Sequence, residues 1–109
     1  MSVYDKPFPV RIIRDARDIE EKADGLGGIC AGLYKYPDVN QKMPQDQAAL
    51  SPLERLGYNP LIVLENGKHI WGMECWWTYA SDTRSLEELQ VSLNLQLALI
   101  IEALSGPEN

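Results

Sequence analysis

The side chains best suited to chemistry in this 109-residue chain are its single histidine, His69, and its two cysteines, Cys30 and Cys75. A zinc site needs several such ligands around one ion, and a cysteine nucleophile needs a histidine within hydrogen-bonding distance. Cys75 follows His69 by six residues, which is about 20 Å along an extended strand. Only residue type supports a pairing of Cys30 with His69. We therefore predict no metal site, no cofactor and no cysteine-based catalysis.

A pair of carboxylates and a glycine-rich stretch are the remaining candidates for catalysis or phosphate binding. Glu65 and Glu74 fall on one face of a predicted hairpin but nine residues apart, and Lys68 is the simpler partner for Glu65. The glycines of residues 25–32 follow a predicted helix and lack a Gly-Lys-Ser/Thr sequence, whereas a phosphate loop leaves a strand and opens a helix. We expect a helix end and a short strand over residues 29–36 there, and we predict that the protein is not an enzyme.

The charge of the chain limits the classes of partner. Sixteen acidic residues against ten basic ones give a net charge of −6, which opposes binding to a nucleic-acid backbone or to an anionic membrane. The first residues show no signal-peptide pattern, and no apolar run approaches the roughly 18 residues of a membrane span. We expect a cytoplasmic protein that forms one α+β domain over residues 1–109.

The element that organises the predicted fold is a β-hairpin over residues 60–79. Asn66-Gly67 lies between two apolar runs, a pattern typical of a two-residue type I′ turn. Such a turn pairs Ile62 with Trp71 across the two strands. One face of the hairpin then carries Ile62, Leu64, His69, Trp71, Met73, Cys75 and Trp77.

Sequence patterns on either side of the hairpin predict the other elements. In order these are a strand over Phe8–Arg14, a helix over residues 16–24, the short strand over 29–36, a loop over 37–49 and a helix over Pro52–Leu56. Prolines beside the first strand place it near an edge of the sheet. Asp15 is the expected N-cap of the first helix, and Ser51-Pro52-Leu53-Glu54 forms a capping box for the second.

The longest predicted element is a C-terminal helix over residues 86–104, which begins at the capping box Ser85-Leu86-Glu87-Glu88 and ends before Gly106 and Pro107. One line of this helix is expected to face the hairpin. It consists of Leu86, Leu89, Leu93, Leu97, Ile100 and Leu104. The predicted fold is therefore a small antiparallel sheet with a central hairpin, packed by this long helix and the shorter N-terminal one.

A second apolar line, Val91, Leu95 and Leu99, lies nearly opposite the first on the C-terminal helix. Apolar residues on both sides of a surface helix indicate that both sides are covered. The same line of a second copy is the simplest cover, because a two-fold axis needs only one self-complementary patch. We predict a homodimer through these residues; the alternative is that the first helix or the N-terminal segment covers them within one chain.

The three tryptophans point to two functions. Trp76 is the candidate anchor for a protein of unknown identity, since tryptophan is enriched at interaction hot spots. We therefore predict a non-catalytic interaction module, such as an adaptor, an immunity protein or a small acidic inhibitor of the kind that mobile elements encode. The alternative is a small-molecule-binding domain with an aromatic pocket between the hairpin and the C-terminal helix, lined by Trp71, Met73, Trp77 and Tyr79.

Overall fold

The computed structural model of the chain describes residues 2–46 and 50–106 and has an antiparallel sheet with two α-helices. This arrangement confirms the predicted α+β class. In chain order the elements are β1 (Phe8–Asp15), β2 (Gly27–Lys35), α1 (Pro52–Leu56), β3 (Tyr58–Leu64), β4 (His69–Trp71), β5 (Cys75–Tyr79) and α2 (Leu86–Ser105). The described residues also include two three-residue 3-10 helices, Val3–Asp5 and Gly72–Glu74.

The five strands lie in the order β4-β3-β2-β1-β5, so that two strands consecutive in the chain occupy opposite edges of the sheet. Only the 3-10 helix Gly72–Glu74 joins them, and so short a connection requires the sheet to curl until its edges approach each other. A Cβ on Gly72 would lie 2.9 Å from the Pro60 ring, which explains the glycine. The prediction of one hairpin over 60–79 holds for β3 and β4 but is wrong for β5, which pairs with β1.

The turn of the hairpin is longer than predicted. Leu64 donates its N–H to the carbonyl of Lys68 at 2.7 Å, leaving three residues in the loop, and Gly67 has φ +83°. Among the described residues only glycines have positive φ, so Asn66 does not adopt the type I′ conformation; its side chain accepts the Lys68 N–H instead. The predicted register is therefore wrong by one residue, and His69 is exposed.

The main core fills the inside of the curled sheet and contains residues from all five strands, among them Val10, Ile12, Cys30, Ile62, Leu64, Ile70 and Cys75. The predicted edge position of β1 is wrong, since it lies between β2 and β5. Pro9 is tolerated because it is only the second residue of β1, close to the end of β5, where its carbonyl accepts the N–H of Ala80.

The short elements between β2 and β3 agree with their sequence patterns. Ser51 caps α1 as predicted, with its hydroxyl accepting the Glu54 N–H. The predicted loop before it is tied back to β2 by a hydrogen bond from the Met43 N–H to the Leu33 carbonyl at 2.8 Å. Residues 47–49 of that loop lie outside the described residues.

The helix predicted over residues 16–24 is wrong: the segment between β1 and β2 has no helix. Asp15, the expected N-cap, is buried and organises a loop instead. Its carboxylate accepts hydrogen bonds from the backbone of Arg17 and Ala23 and forms a 2.8 Å ion pair with the Arg17 guanidinium. Burial alone would raise the pKa of Asp15, but the hydrogen bonds from Arg17 and Ala23 outweigh burial and lower it to about 2.

We expect Asp15→Asn to lower the free energy of unfolding at pH 7 by about 2 kcal/mol, because the carboxylate has a pKa of 3.8 in its unperturbed state and about 2 when folded. This contribution is present above the unfolded pKa and is lost as the pH falls toward the folded pKa. Urea unfolding between pH 7 and pH 3 measures it, with the exposed Asp18→Asn as control. Equal pH dependence for wild type and Asp15→Asn would contradict this role.

Candidate interaction surface

Helix α2 is well defined at both ends by its own sequence. Ser85 is the N-cap and accepts the Glu88 N–H at 3.1 Å, while Gly106 ends the helix with φ +58° and donates its N–H to the Glu102 carbonyl. These 20 residues span about 30 Å. The predicted helix is confirmed, and the predicted Pro107 stop lies outside the described residues.

Only the first part of α2 is packed on the rest of the chain. Leu89 and Leu93 are 2% and 7% exposed and form a second, small core with Ile13 of β1, with Leu97 packed at its margin. The prediction that this line of the helix faces the hairpin is therefore wrong, because the helix lies on β1. Strand β1 contributes to both cores because adjacent residues of a strand point to opposite faces of the sheet. Ile12 lies in the main core and Ile13 in the second one.

Polar contacts hold the same part of the helix against β1. They begin in the chain just before α2, extend to the third turn of the helix and attach the helix to one side of β1. They comprise hydrogen bonds from Arg11 to the carbonyls of Asp82 and Arg84, from Gln90 to the carbonyl of Ile13 at 3.1 Å, and from Arg14 to the amide oxygen of Asn94.

The rest of α2, residues 98–105, extends past these contacts, and every one of its residues is exposed. We call it the distal segment. Its large apolar side chains are Leu99, Ile100, Ile101 and Leu104, and Leu104 is 82% exposed. Its only charged residue is Glu102. Helical segments so rich in large apolar residues are normally buried. This one is exposed at every residue.

Two separate apolar lines run along the exposed part of α2. The outer line is Val91, Leu95 and Leu99, of which Leu95 and Leu99 are 63% and 65% exposed. The inner line is Ile100 and Leu104, which lie within about 20° of the buried Leu93 around the axis but beyond the end of its contact. The structure therefore exposes both the line predicted for self-association and two residues of the line predicted for the core. Neither a first helix nor the N-terminal segment covers the outer line.

The charge pattern of α2 distinguishes it from an ordinary surface helix. From residue 89 to residue 101 the chain has no charged side chain, and Glu88 and Glu102 bound this stretch. The cores of protein interfaces are depleted of charge in the same way, with polar residues at the rim. No helix among the described residues is long and apolar enough to cross a membrane.

Trp76, the predicted anchor for another protein, lies on the edge strand β5 and is 38% exposed. It pairs in register with Arg14, whose guanidinium binds Asn94 of α2. The outer edge of its strand has no partner among the described strands. An edge strand with an aromatic side chain can pair with an extended segment of another protein.

The four residues of the predicted aromatic pocket lie in different surroundings. Trp77 and Tyr79 contact each other with ring centroids 5.9 Å apart, and both contact Phe8. Trp71 is buried and packs against Tyr36 at 5.1 Å, while Met73 is exposed on the 3-10 helix. The buried side of α2 meets Ile13 and not these rings.

The cysteines and the carboxylate considered for chemistry are held by packing and by hydrogen bonds within the fold. Cys30 and Cys75 are buried in the main core as free thiols, and burial raises the pKa of both, that of Cys75 to about 12; both are therefore protonated at neutral pH. Glu74 accepts the Trp71 N–H at 3.0 Å and so closes the 3-10 helix. Among the described residues no group of three His, Cys, Asp or Glu side chains could hold a metal ion.

Comparison of the chain with protein families, with curated proteins and with solved structures finds no match.

The attachment of α2 can be tested with one buried leucine. We expect Leu89→Ala to lower the free energy of unfolding by about 2–5 kcal/mol, because it empties a well-packed site between the helix and Ile13. The matched control is Leu53→Ala on α1, where the leucine is 80% exposed and the expected change is within about 0.5 kcal/mol. Equal stabilities of the two variants in urea unfolding would mean that α2 does not pack on β1.

Proposed function

We propose that this protein is a non-catalytic interaction module that associates with a second copy of itself through α2 and holds a protein partner at Trp76. The observation that supports the proposal is the exposed apolar outer line in a stretch of helix without charge. Exposed apolar patches bounded by polar residues are typical of interaction sites. An adaptor, an immunity protein or a small acidic inhibitor would use such a module.

The energetics favour association of two copies. Burying a fully exposed Val or Leu side chain contributes about 1.5–3 kcal/mol. Because the three residues of the outer line are 54–65% exposed, those of two copies together contribute about 5–11 kcal/mol. Association costs about 4–15 kcal/mol in lost translational and rotational freedom. A dissociation constant near micromolar corresponds to about −8 kcal/mol, which the contact reaches when exposed neighbours of the outer line, such as Ala98, add area.

The role proposed for Trp76 follows from its position. It is the one tryptophan outside the buried clusters described above, and its edge strand leaves backbone N–H and carbonyl groups free for pairing. The self-association surface is on α2, so one chain has room for both contacts. The net charge of −6 favours partners with basic surfaces.

The self-association proposal is tested by sedimentation of wild type beside the variant Leu95→Glu, Leu99→Glu. We expect the wild type to form a larger species than the variant, because two buried carboxylates without partners oppose the contact. The control is Leu53→Glu, Leu56→Glu, which makes the same change at two exposed leucines of α1 and is expected to sediment like wild type.

Tryptophan fluorescence and cooperative urea unfolding verify that each variant is folded. A wild type that remains monomeric up to about 100 micromolar, two orders of magnitude above the expected constant, would contradict the proposal.

Salt gives an independent test of which molecules associate. Two copies each carry a charge of −6, and α2 has no Lys or Arg, so electrostatics opposes self-association. Raising ionic strength from 0.01 M to 0.15 M shortens the screening length from about 30 Å to about 8 Å. We expect the dissociation constant for self-association to fall over this range. A constant that rises with salt would indicate attractive ion pairs and would contradict a contact made by the uncharged stretch of α2.

A further inference from the structure

The hydrogen bonds at the two ends of β5 fix which of its backbone groups face β1. Ala80 donates its N–H to the Pro9 carbonyl at 3.1 Å, and the Glu74 carbonyl accepts the Ala16 N–H at 2.8 Å. Bonds alternate along an antiparallel ladder, and the extra residue of the bulge belongs to β1. Even-numbered residues therefore pair with β1, and odd-numbered ones point their N–H and carbonyl groups outward. The outward-pointing residues are Cys75, Trp77 and Tyr79.

The outer edge of β5 is open in its middle and closed at both ends. The Cys75 Sγ lies 3.6 Å from the Trp71 carbonyl, so the chain that enters from β4 occupies the first end. The Tyr79 carbonyl accepts the Asp82 N–H at 3.0 Å, which occupies the other. The N–H and carbonyl of Trp77 and the N–H of Tyr79 lie between these ends, with no strand beside them among the described residues.

The two edges of the sheet differ in their protection. Exposed edges are normally protected by charged side chains, by proline, by bulges or by very short strands. The edge strand β4 has only three residues. Strand β5 has five, with the sequence Cys-Trp-Trp-Thr-Tyr, and none of them is charged or proline. Its residue types favour strands, so this edge has the features of one that pairs.

We propose that the partner held at Trp76 binds as a sixth strand, with an extended segment of its chain paired along β5 from Trp76 to Tyr79. This inference rests on the partner contact proposed above and is independent of α2. Outward groups two residues apart repeat at about 6.7 Å along a strand, which is the repeat of any extended chain. Backbone hydrogen bonds supply the affinity in this mode of binding, and alternate side chains supply the specificity.

The side chains beside the open edge define the chemistry of the segment. Trp76 and Tyr79 are 38% and 48% exposed and lie on opposite faces of β5, so an added strand meets an aromatic ring on each face. Pairs of aromatic and β-branched residues across strands are favourable. The net charge of −6 favours basic segments. We therefore expect β-branched residues in the middle of the segment and Lys or Arg at its ends.

The test uses a synthetic peptide of this chemistry, Lys-Val-Thr-Val-Thr-Val-Lys with blocked ends, added to the full chain while its amide NMR signals are recorded. Two further peptides carry N-methyl groups, one on its valines and one on its threonines, whose N–H groups lie on opposite edges of an extended strand. We expect shifts at Trp76–Tyr79 with the unmodified peptide. One methylated peptide should bind like it, and the other about tenfold more weakly, because it loses the bonds to Trp77.

Two substitutions separate strand pairing from other contacts at this surface. We expect Trp76→Ala to weaken binding of the peptide and the control Leu53→Ala, at an exposed leucine of α1, to leave it unchanged. If Trp76→Ala weakens binding but both methylated peptides bind like the unmodified one, the partner contact stands and the sixth strand is overturned.

The remaining outcomes also decide the proposal. Absence of shifts at residues 75–79 with every peptide overturns strand pairing and leaves self-association through α2 unaffected. Signals of residues 75–79 that change on dilution without any peptide would mean that a second copy of β5 occupies the edge, which overturns its assignment to a partner.

Discussion

Two adjacent isoleucines of β1 organise the molecule. Ile12 points into the curled sheet and Ile13 points to the opposite face, and each is buried in a different core. The register between β1 and β5 shifts between Ile12 and Arg14, so Ile13 is the extra residue of β1 at this point of the pairing. Ile13 packs with Leu89 and Leu93, and Leu97 lies at the margin of this cluster. The sheet therefore holds the first part of the helix, and the rest is exposed.

This unequal attachment connects the fold with the proposed function. A helix that needed only to cover β1 would end near residue 97, yet α2 continues to Ser105 with four large apolar residues and one charged residue. Residues of that kind in water favour association. The sheet thus serves as the support that holds one apolar helix in place. The buried thiols and the hydrogen-bonded carboxylates of Asp15 and Glu74 contribute to the support.

The parts of the fold that depend on local sequence were predictable, and those that depend on distant contacts were not. The 3.6-residue period and the capping serine define α2, and Ser51 with Pro52 defines α1. By contrast, the local sequence at Asp15 suits a helix N-cap. Asp15 is instead the centre of a loop because its carboxylate accepts hydrogen bonds from the Arg17 guanidinium and from the backbone N–H of Ala23, eight residues further along the chain. The hairpin register differs from the prediction by one residue because the turn contains three residues and not two. The Asn-Gly sequence alone does not decide between these two turn types.

The candidate interaction surface was predictable in part. Period and composition identify the outer line, Val91, Leu95 and Leu99, without any structure. They do not tell where the sheet ends, so Ile100 and Leu104 appear as core residues although β1 stops short of them. Trp76 and Trp77 follow the strand alternation, which sends Trp77 toward the main core and leaves Trp76 exposed. The position of β5 at the far edge of the sheet depends on the curling of the sheet, which no local sequence pattern specifies.

In the proposed assembly the distal segment lies against a second copy of the chain. Amide hydrogen exchange of residues 98–105, followed at several protein concentrations, tests it directly. We expect these amides to exchange slowly at high concentration and faster on dilution, while those of residues 89–97 stay protected by the contact with Ile13. Fast exchange of the distal segment at every concentration would contradict it.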